Sequence, residues 1–502
     1  MSPRILALAT GVAALGLVVT STGWVTQWQR ATAEQERAEA LSEEVAALQD
    51  RVAALEARTD EDDDVDAGDD ERTGALDGLL DGLLGDSGVL GDLVGGGVPG
   101  ARCITPRDGL DDLFGGTGPA LPTDPVELVD VVADQVAELR GLDWQTDPEV
   151  DFVDADELAD RLASLLAEDA DPEALEAQRR LLHALGAIAG DLDLEEVQRR
   201  LLDEQVAGYY HPDSGELVVR VPDDGRIRPL DQVTLAHELE HALADQALGL
   251  PDLDAESYDD DADASLGALA LVEGDATLLM NQWMLQHLSL PEQLSGALGG
   301  DLAAAQASLD AVPHHLQREL LYPYTAGLDY VCARWLEGGW EAVDAAYADP
   351  PATSYEVLFP DDPREPRTPA PLTPPAGGEQ ILDSTFGAAP LLWLLEAPGG
   401  EPDRALDAPR DRASAWAGGR VAVWDLDGVT VAGLSLVDGD GSLCATVADW
   451  HLAAFPDHEP SGGGDTRTFT GDDAAAALSC EGDAVHYATT GDLEVARRVV
   501  GR

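Results

Sequence analysis

The sequence contains no lysine, so all 29 of its basic residues are arginine, against 98 aspartates and glutamates. The formal net charge is −69 over 502 residues. A general nucleic-acid binder neutralises phosphates with clustered lysine and arginine side chains, and this chain has far too few of them for that role. We therefore expect no nucleic-acid partner.

Cysteine is scarce as well, with four residues far apart in the chain: Cys103, Cys332, Cys444 and Cys480. None of them belongs to a CxxC pair, which excludes the usual thiolate zinc site. Four cysteines allow two disulfides in an oxidising compartment. Because Cys444 and Cys480 both follow residue 380, we expect one disulfide within that region.

The chain begins with an apolar segment that predicts membrane targeting. The run from Ile5 to Val25 has 21 residues and would span about 31 Å as a helix, which is enough to cross a bilayer. Two interpretations of residues 1–28 stay open. Trp24 and Trp28 at the expected interface favour a retained single-pass anchor, and the alternative is a cleaved signal peptide. Both interpretations place the bulk of the chain outside the cytoplasm, either on the cell membrane or secreted.

Two segments of unusual composition follow. Residues 32–58 carry apolar side chains at alternating spacings of three and four, which is typical of a short coiled coil. This segment predicts either a homodimer contact or a lone stalk helix. Residues 59–122 lose the periodicity, begin with an acidic block at 60–64 and continue as a stretch rich in Gly, Leu and Asp. Their composition predicts a flexible spacer.

The rest of the chain has the composition of a folded protein, since hydrophobic residues make up 44% of the sequence. We expect an α+β fold with a mostly helical domain at 123–350. A proline-rich linker at 351–380 and a small α+β domain at 381–502 complete the prediction. Asp124 followed by Pro125 predicts the start of the first helix.

Secondary-structure signals within the helical domain are clear. Helical patterns extend to about residue 207. The segment 208–220, GYYHPDSGELVVR, then predicts a β-hairpin with its turn near Gly215. Helical patterns resume at 231–248 and at 264–288.

The helix expected at 231–248 contains the sequence HELEH, with His237, Glu238 and His241. At about 100° per residue the two histidines lie only about 40° apart, so both imidazoles can bind one ion. Glu238 lies beside them and can act as general base on a metal-bound water, which predicts a catalytic Zn²⁺ site. The alternative is a solvated helix that bears two unrelated histidines. Glu240 is expected either to face solvent or to lie next to a ligand.

A hydrolytic zinc site needs a third protein ligand and one open position. Glu273 lies 32 residues beyond His241 in an apolar helical pattern, where a carboxylate is costly to bury unless it binds a partner such as a metal. We expect Glu273 to be this ligand. Other acidic residues compete for the role: Glu256, Asp259, Asp260, Asp261 and Asp263. That acidic run is more simply a solvated loop, or alternatively a calcium site. Asp245 is expected either to orient His241 or to face solvent.

HELEHALADQ followed by ALVEGDA resembles the gluzincin type of zinc metallopeptidase, in which two histidines and a glutamate bind the ion. YPYTAGLDYV, GGWEAVDAAY and PPATSYEVL extend the resemblance over roughly 206–360, to a poorly characterised group of extracytoplasmic bacterial and archaeal proteins. The resemblance implies that His237, His241 and Glu273 bind zinc and that Glu238 is the base.

Peptide hydrolysis also needs a donor for the oxyanion, commonly a tyrosine or histidine from outside the zinc helix. Tyr324 is our candidate catalytic residue for this role. Its rivals are His314, His315 and Tyr322. The strand expected at Glu216–Val221, if it edges the cleft, would pair with an extended substrate.

The sequence thus predicts a membrane-tethered, extracytoplasmic zinc metallopeptidase that acts on peptide or protein substrates. Two alternatives stay open. One is a non-catalytic cell-envelope scaffold that keeps the metal site for stability and works through its coiled coil and C-terminal domain. The other is a zinc hydrolase of non-peptide substrates.

Overall fold

A computed structural model describes residues 103, 121–122, 124–168, 171–197, 199, 208–221, 227–253, 255, 258, 261–289, 292, 309–362, 364–463 and 466–501. The predicted anchor, the coiled coil and most of the predicted spacer lie outside these residues. Within the described part, no helix is long and apolar enough to span a bilayer. The described residues combine helices with two β-sheets, which confirms the predicted α+β class.

The first half of the described chain is mainly helical. Its helices are α1 (Pro125–Arg140), α2 (Ala155–Glu168), α3 (Pro172–Ala184), α4 (Pro229–Leu248), α5 (Ala262–His287), α6 (His314–Gly338), α7 (Trp340–Ala348) and α8 (Ser354–Leu358). Asp124 caps α1 as predicted, because its carboxylate accepts hydrogen bonds from the backbone N–H groups of Val126 and Glu127. Helices α4 and α5 confirm the two helical patterns that surround the metal motif.

A small sheet packs against these helices. Its strands are β1 (Val150–Val153), β2 (Gly208–His211) and β3 (Glu216–Arg220), in the order β1–β3–β2. Strands β2 and β3 form the predicted antiparallel hairpin, and β1 pairs with β3 in parallel.

This order corrects two expectations. The prediction of helix throughout the region up to residue 207 is wrong at β1, whose four residues are too few to give a clear alternating pattern. The pairing of an extended substrate with Glu216–Val221, which depends on this strand edging the cleft, is not available either. Strand β3 is central and has a partner on each side, so its backbone hydrogen bonds are already made.

The second half of the chain is built on a seven-stranded sheet with strand order β4–β5–β6–β10–β9–β8–β7. Its elements are β4 (Glu379–Thr385), α9 (Ala388–Glu396), α10 (Pro409–Ala413), β5 (Trp416–Leu426), β6 (Val429–Asp438), α11 (Leu443–Ala454), β7 (Glu459–Gly463), β8 (Thr466–Thr470), β9 (Ala475–Glu481), β10 (Ala484–Thr490) and α12 (Leu493–Val499), with short 3₁₀ turns at Pro398–Gly400 and Pro402–Arg404. The predicted disulfide joins Cys444 to Cys480, and a second joins Cys103 to Cys332 of α6.

The hydrophobic core continues from the helical half into this sheet. Leu271 of α5 and Leu434 of β6 belong to the same buried cluster. The segment predicted as a linker packs along the sheet, where the backbone N–H of Arg367 donates to the carbonyl of Ala417 at 2.7 Å. All the described residues belong to one compact unit.

Candidate metal centre

The structure brings together the three side chains that the sequence predicts as metal ligands. His237 and His241 lie on α4, and Glu273 lies on α5. Their ligand atoms form a nearly equilateral triangle. The two Nε2 atoms are 3.1 Å apart, and Oε2 of Glu273 lies 3.3 Å from Nε2 of His237 and 3.4 Å from Nε2 of His241. Among the described residues, this metal triad is the one group of three His, Cys or acidic side chains that could hold an ion.

The size of the triangle fits zinc. Tetrahedral zinc binds histidine nitrogen and carboxylate oxygen at about 2.0–2.1 Å, which places neighbouring ligand atoms about 3.3–3.4 Å apart. The measured edges of 3.1, 3.3 and 3.4 Å lie close to this value. Three protein ligands leave a tetrahedral ion one open position, as a hydrolytic site requires.

Helix α4 presents both histidines on its buried face. The spacing of four residues stacks the rings one turn apart, with their centroids at 4.6 Å and their planes nearly perpendicular. The helix begins at Pro229. Proline is tolerated at the first position of a helix because the backbone N–H that it lacks would have no partner within the helix. The helix ends before Gly249, whose φ is 81°. The metal-binding turn therefore lies inside a helix with well-defined ends.

Helices α5 and α6 approach each other closely beside the triad. A Cβ atom added to Gly274 would overlap the backbone carbonyl of Gly327, and one added to Gly327 would overlap that of Ala270. Only glycine permits this backbone contact. The contact holds Glu273 of α5 against Tyr324 of α6.

Burial sets the protonation of the triad. It lowers the pKa of His237 and lowers that of His241 to about 4, so both imidazoles are neutral near pH 7 and each keeps a nitrogen lone pair for a metal. Burial raises the pKa of Glu273 to about 7, an effect that His237 opposes. A bound cation would favour the ionised carboxylate and so compensate for the cost of burying it.

The predicted base and the predicted oxyanion donor both lie at the triad. Glu238 is fully buried and packs at the start of β2, where a Cβ atom on Gly208 would lie 3.4 Å from its Cγ. The hydroxyl of Tyr324 hydrogen-bonds to the carboxylate of Glu273, and the Tyr324 and His237 ring centroids are 6.3 Å apart. Burial, together with the two nearby carboxylates, raises the pKa of Tyr324 well above its usual range, so its hydroxyl keeps the proton that a donor needs.

The three rival candidates for oxyanion donor are engaged elsewhere. Nε2 of His314 lies 3.2 Å from Oε2 of Glu396. The hydroxyl of Tyr322 donates to the backbone carbonyl of Ser354 at 3.1 Å. The ring of His315 packs against a tryptophan of α9. Tyr324 is thus the candidate whose hydroxyl reaches a triad ligand.

The competing acidic residues that the structure describes also have other roles. Asp261 caps α5 by accepting a hydrogen bond from the N–H of Ala264, and Asp263 accepts one from the N–H of Ser354. Asp245 accepts a hydrogen bond from the hydroxyl of Tyr210 at 2.7 Å and thereby ties α4 to the hairpin. Glu256, Asp259 and Asp260 lie outside the described residues.

One residue beside the triad was not predicted. Arg140, the last residue of α1, is 1% exposed and lies 3.4 Å from Glu240 and 3.0 Å from Asp275. Glu240 is fully buried, so the expectation that it faces solvent is wrong, and its carboxylate lies next to Arg140. An arginine at the end of a helix is common, and Arg140 is 135 residues away from Asp275, so no sequence signal pairs them.

Comparisons of the chain with protein-family models, with curated proteins and with solved structures find no match. The gluzincin resemblance therefore stays a prediction from the motifs. Function has to be inferred from the geometry of the metal triad and its neighbours.

Proposed function

We propose that this chain is a zinc-dependent metallopeptidase. The observation that carries the proposal is the triangle of His237 Nε2, His241 Nε2 and Glu273 Oε2, with edges of 3.1 to 3.4 Å, next to the buried carboxylate of Glu238. A two-histidine, one-glutamate donor set with an adjacent carboxylate is the arrangement that zinc peptidases use.

Each side chain has a role in peptide hydrolysis. Zinc, when held by the triad, would polarise the substrate carbonyl and make a water acidic enough to attack near neutral pH. Glu238 would accept a proton from the attacking water and pass it to the nitrogen of the leaving amine. Tyr324 would redirect its hydrogen bond from Glu273 to the oxyanion that develops on the substrate.

We further propose an extracytoplasmic location, either tethered to the membrane by residues 1–28 or secreted. Two disulfides, Cys103–Cys332 and Cys444–Cys480, support this proposal because disulfides persist in oxidising compartments. A homodimer formed through residues 32–58 belongs to the same proposal.

Metal analysis and a peptide digest of the purified full-length chain test the proposed activity. We expect about one zinc ion per chain and hydrolysis of peptides from a diverse library. Glu238→Gln should keep the zinc and lower the hydrolysis rate by about 10²- to 10⁴-fold. Glu176→Gln, which removes an exposed carboxylate of α3 paired with Arg179, is the control and should keep both zinc and activity. A native chain free of metal would overturn the enzyme proposal.

Other outcomes would favour the two alternatives. Bound zinc with no hydrolysis of any peptide would point to a non-peptide substrate. Zinc without hydrolysis, combined with an assembly that requires residues 32–58, would favour the scaffold. For an enzyme, removal of residues 32–58 should leave proteolysis unchanged.

A further inference from the structure

Arg140 is a buried cation surrounded by carboxylates from three helices. It lies at the very end of α1, which stops there because Gly141 adopts a left-handed backbone with φ of 77°. Its Nη2 lies 3.0 Å from Oδ2 of Asp275, its Nε lies 3.4 Å from Oε1 of Glu240, and its Nη1 lies 2.7 Å from Oδ1 of Asp344. One guanidinium thus connects α1 to α4, α5 and α7.

Two aromatic residues of α7 complete this environment. The guanidinium carbon of Arg140 lies 4.6 Å from the centre of the Trp340 ring, within cation–π distance. The hydroxyl of Tyr347 donates to Oδ2 of Asp275 at 2.9 Å. Asp275 is therefore held from two sides, and the plane of the guanidinium is fixed against an aromatic face.

Two of the three carboxylates that Arg140 binds are close in sequence to the metal triad. Glu240 precedes His241 by one residue, and Asp275 follows Glu273 by two. At about 100° per residue, Glu240 lies about 60° from His237 around α4, and Asp275 lies about 160° from Glu273 around α5. Arg140 therefore holds α4 from beside its ligand face and α5 from behind its ligand face. If either helix turned by 10°, a ligand atom about 6 Å from its axis would move by about 1 Å, more than the roughly 0.5 Å that such a site tolerates.

Stability alone gives a weak reason for this arrangement. Well-packed apolar side chains often stabilise a buried site as well as an ion pair does, because they avoid the cost of desolvating charges. Glu240 and Asp275 are both fully buried and lie on the two helices that carry the ligands. Their position gives the ion pairs a geometric role that apolar packing would not reproduce.

We propose that Arg140 is a positioning residue for the metal triad. It fixes the rotation and spacing of α4 and α5, and so brings both histidines and Glu273 to the separations that zinc requires. This inference rests on the proposed function, since it concerns the same metal site.

The test compares zinc affinity and coordination among full-length variants that remain folded. Arg140→Met removes the cation and leaves the buried carboxylates of Glu240 and Asp275 without a counter-charge. This single variant is therefore at risk of failing to fold, because an uncompensated buried charge is strongly destabilising. The triple variant Arg140→Met, Glu240→Gln, Asp275→Asn removes the three fully buried charges together and leaves only Asp344, whose side chain is 30% exposed. Arg140→Lys keeps the charge without the planar guanidinium. The control is Arg180→Met, which removes an ion pair with Asp425 between α3 and β5.

Zinc dissociation constants come from competition with a chelator, and the absorption spectrum of the Co²⁺-substituted protein reports the coordination geometry. We expect zinc to bind roughly 10- to 100-fold more weakly to the triple variant and to any folded Arg140→Met protein, with an altered Co²⁺ spectrum. Arg140→Lys should lose less affinity, and Arg180→Met should match the unmodified chain.

Two results would overturn the inference, and they can be told apart. Zinc affinity within about twofold of the unmodified chain in the folded triple variant, with an unchanged Co²⁺ spectrum, would show that Arg140 has no positioning role while the metal site stands. Failure of the unmodified chain to bind zinc would remove the proposed function itself.

Discussion

Two clusters of neighbouring histidines lie in different halves of this protein, and they differ in what surrounds them. In the metal triad, Nε2 of His237 and Nε2 of His241 are 3.1 Å apart. In the C-terminal histidine pair, Nε2 of His451 and Nδ1 of His458 are also 3.1 Å apart. The triad adds the carboxylate of Glu273, whereas no acidic side chain in the described part of the chain joins the C-terminal pair in such a group. Two adjacent imidazoles are therefore not enough to indicate a metal site.

The surroundings of the C-terminal pair indicate packing instead. The ring of His451 lies 4.1 Å from that of Phe469 and 4.9 Å from that of Phe455, and its Nδ1 is 2.8 Å from the hydroxyl of Tyr487. Its hydrogen bonds and aromatic contacts are thus satisfied within the sheet region. The comparison predicts that the two clusters respond differently to the same substitution.

The largest expected effect is on metal content. His241→Ala should abolish stoichiometric zinc binding, because the site would keep only two protein ligands, fewer than zinc sites use. His451→Ala should keep about one zinc per chain. Elemental analysis of both folded variants measures this. Retention of zinc by His241→Ala, or its loss from His451→Ala, would reverse the assignment of the two clusters.

The C-terminal pair should affect acid stability and not metal content. Burial, followed by the effect of His458, lowers the pKa of His451 to about 3. The folded state thus binds fewer protons than the unfolded state between pH 3 and pH 6.5, so stability rises with pH over this range. This contribution, at most about 5 kcal/mol, is complete above pH 6.5 and is lost as pH falls towards 3.

Denaturant unfolding from pH 3.5 to 8 measures this contribution. The dependence of unfolding free energy on pH should flatten in His451→Gln, whatever the stability of that variant at pH 7. An unchanged slope would mean that His451 is not the group responsible.

A glycine in the close helix contact next to the triad should tolerate an added Cβ atom less well than a glycine near the C-terminal sheet. Gly327→Ala would force α5 and α6 apart and should cost about 3 kcal/mol of unfolding free energy, with weaker zinc binding. In Gly491→Ala, just after β10, the new Cβ would lie 3.7 Å from the nearest atom, so a change within about 0.5 kcal/mol is expected. Equal stability of the two variants in denaturant would contradict the close helix contact.

The smallest expected effect is on the peptide hydrolysis rate, which should distinguish Tyr324 at the triad from Tyr487 at the C-terminal pair. Tyr324→Phe should lower the peptide hydrolysis rate about 100-fold, or about 2.7 kcal/mol, with zinc affinity unchanged. Tyr487→Phe, which removes a hydroxyl next to His451, should leave hydrolysis unchanged. If Tyr324→Phe lowered zinc affinity and not turnover, the hydroxyl would serve to orient Glu273 and not to stabilise an oxyanion.

Local features of the site could be predicted from sequence, and distant pairings could not. The spacing of His237 and His241 places them on one face of a helix, and the apolar surroundings of Glu273 indicate that it needs a partner. The hairpin and the cap at Asp124 also depend on residues that are neighbours in the chain. These features follow from short-range chemistry.

The remaining features depend on contacts between distant segments. The sequence does not pair Arg140 with Glu240 and Asp275, because single-chain patterns carry no information about which helices meet. The parallel pairing of β1 with β3 likewise joins residues far apart, such as Val150 and Leu217. For the same reason the sequence did not reveal that β3 is the central strand, and it left Glu240 with two interpretations.

Anomalous diffraction at the zinc absorption edge, from crystals of the metal-loaded chain, tests the central claim most directly. One zinc ion should lie within about 2.0–2.1 Å of Nε2 of His237, Nε2 of His241 and a carboxylate oxygen of Glu273. Absence of an anomalous peak at the metal triad, or a zinc ion bound at the C-terminal histidine pair instead, would contradict it.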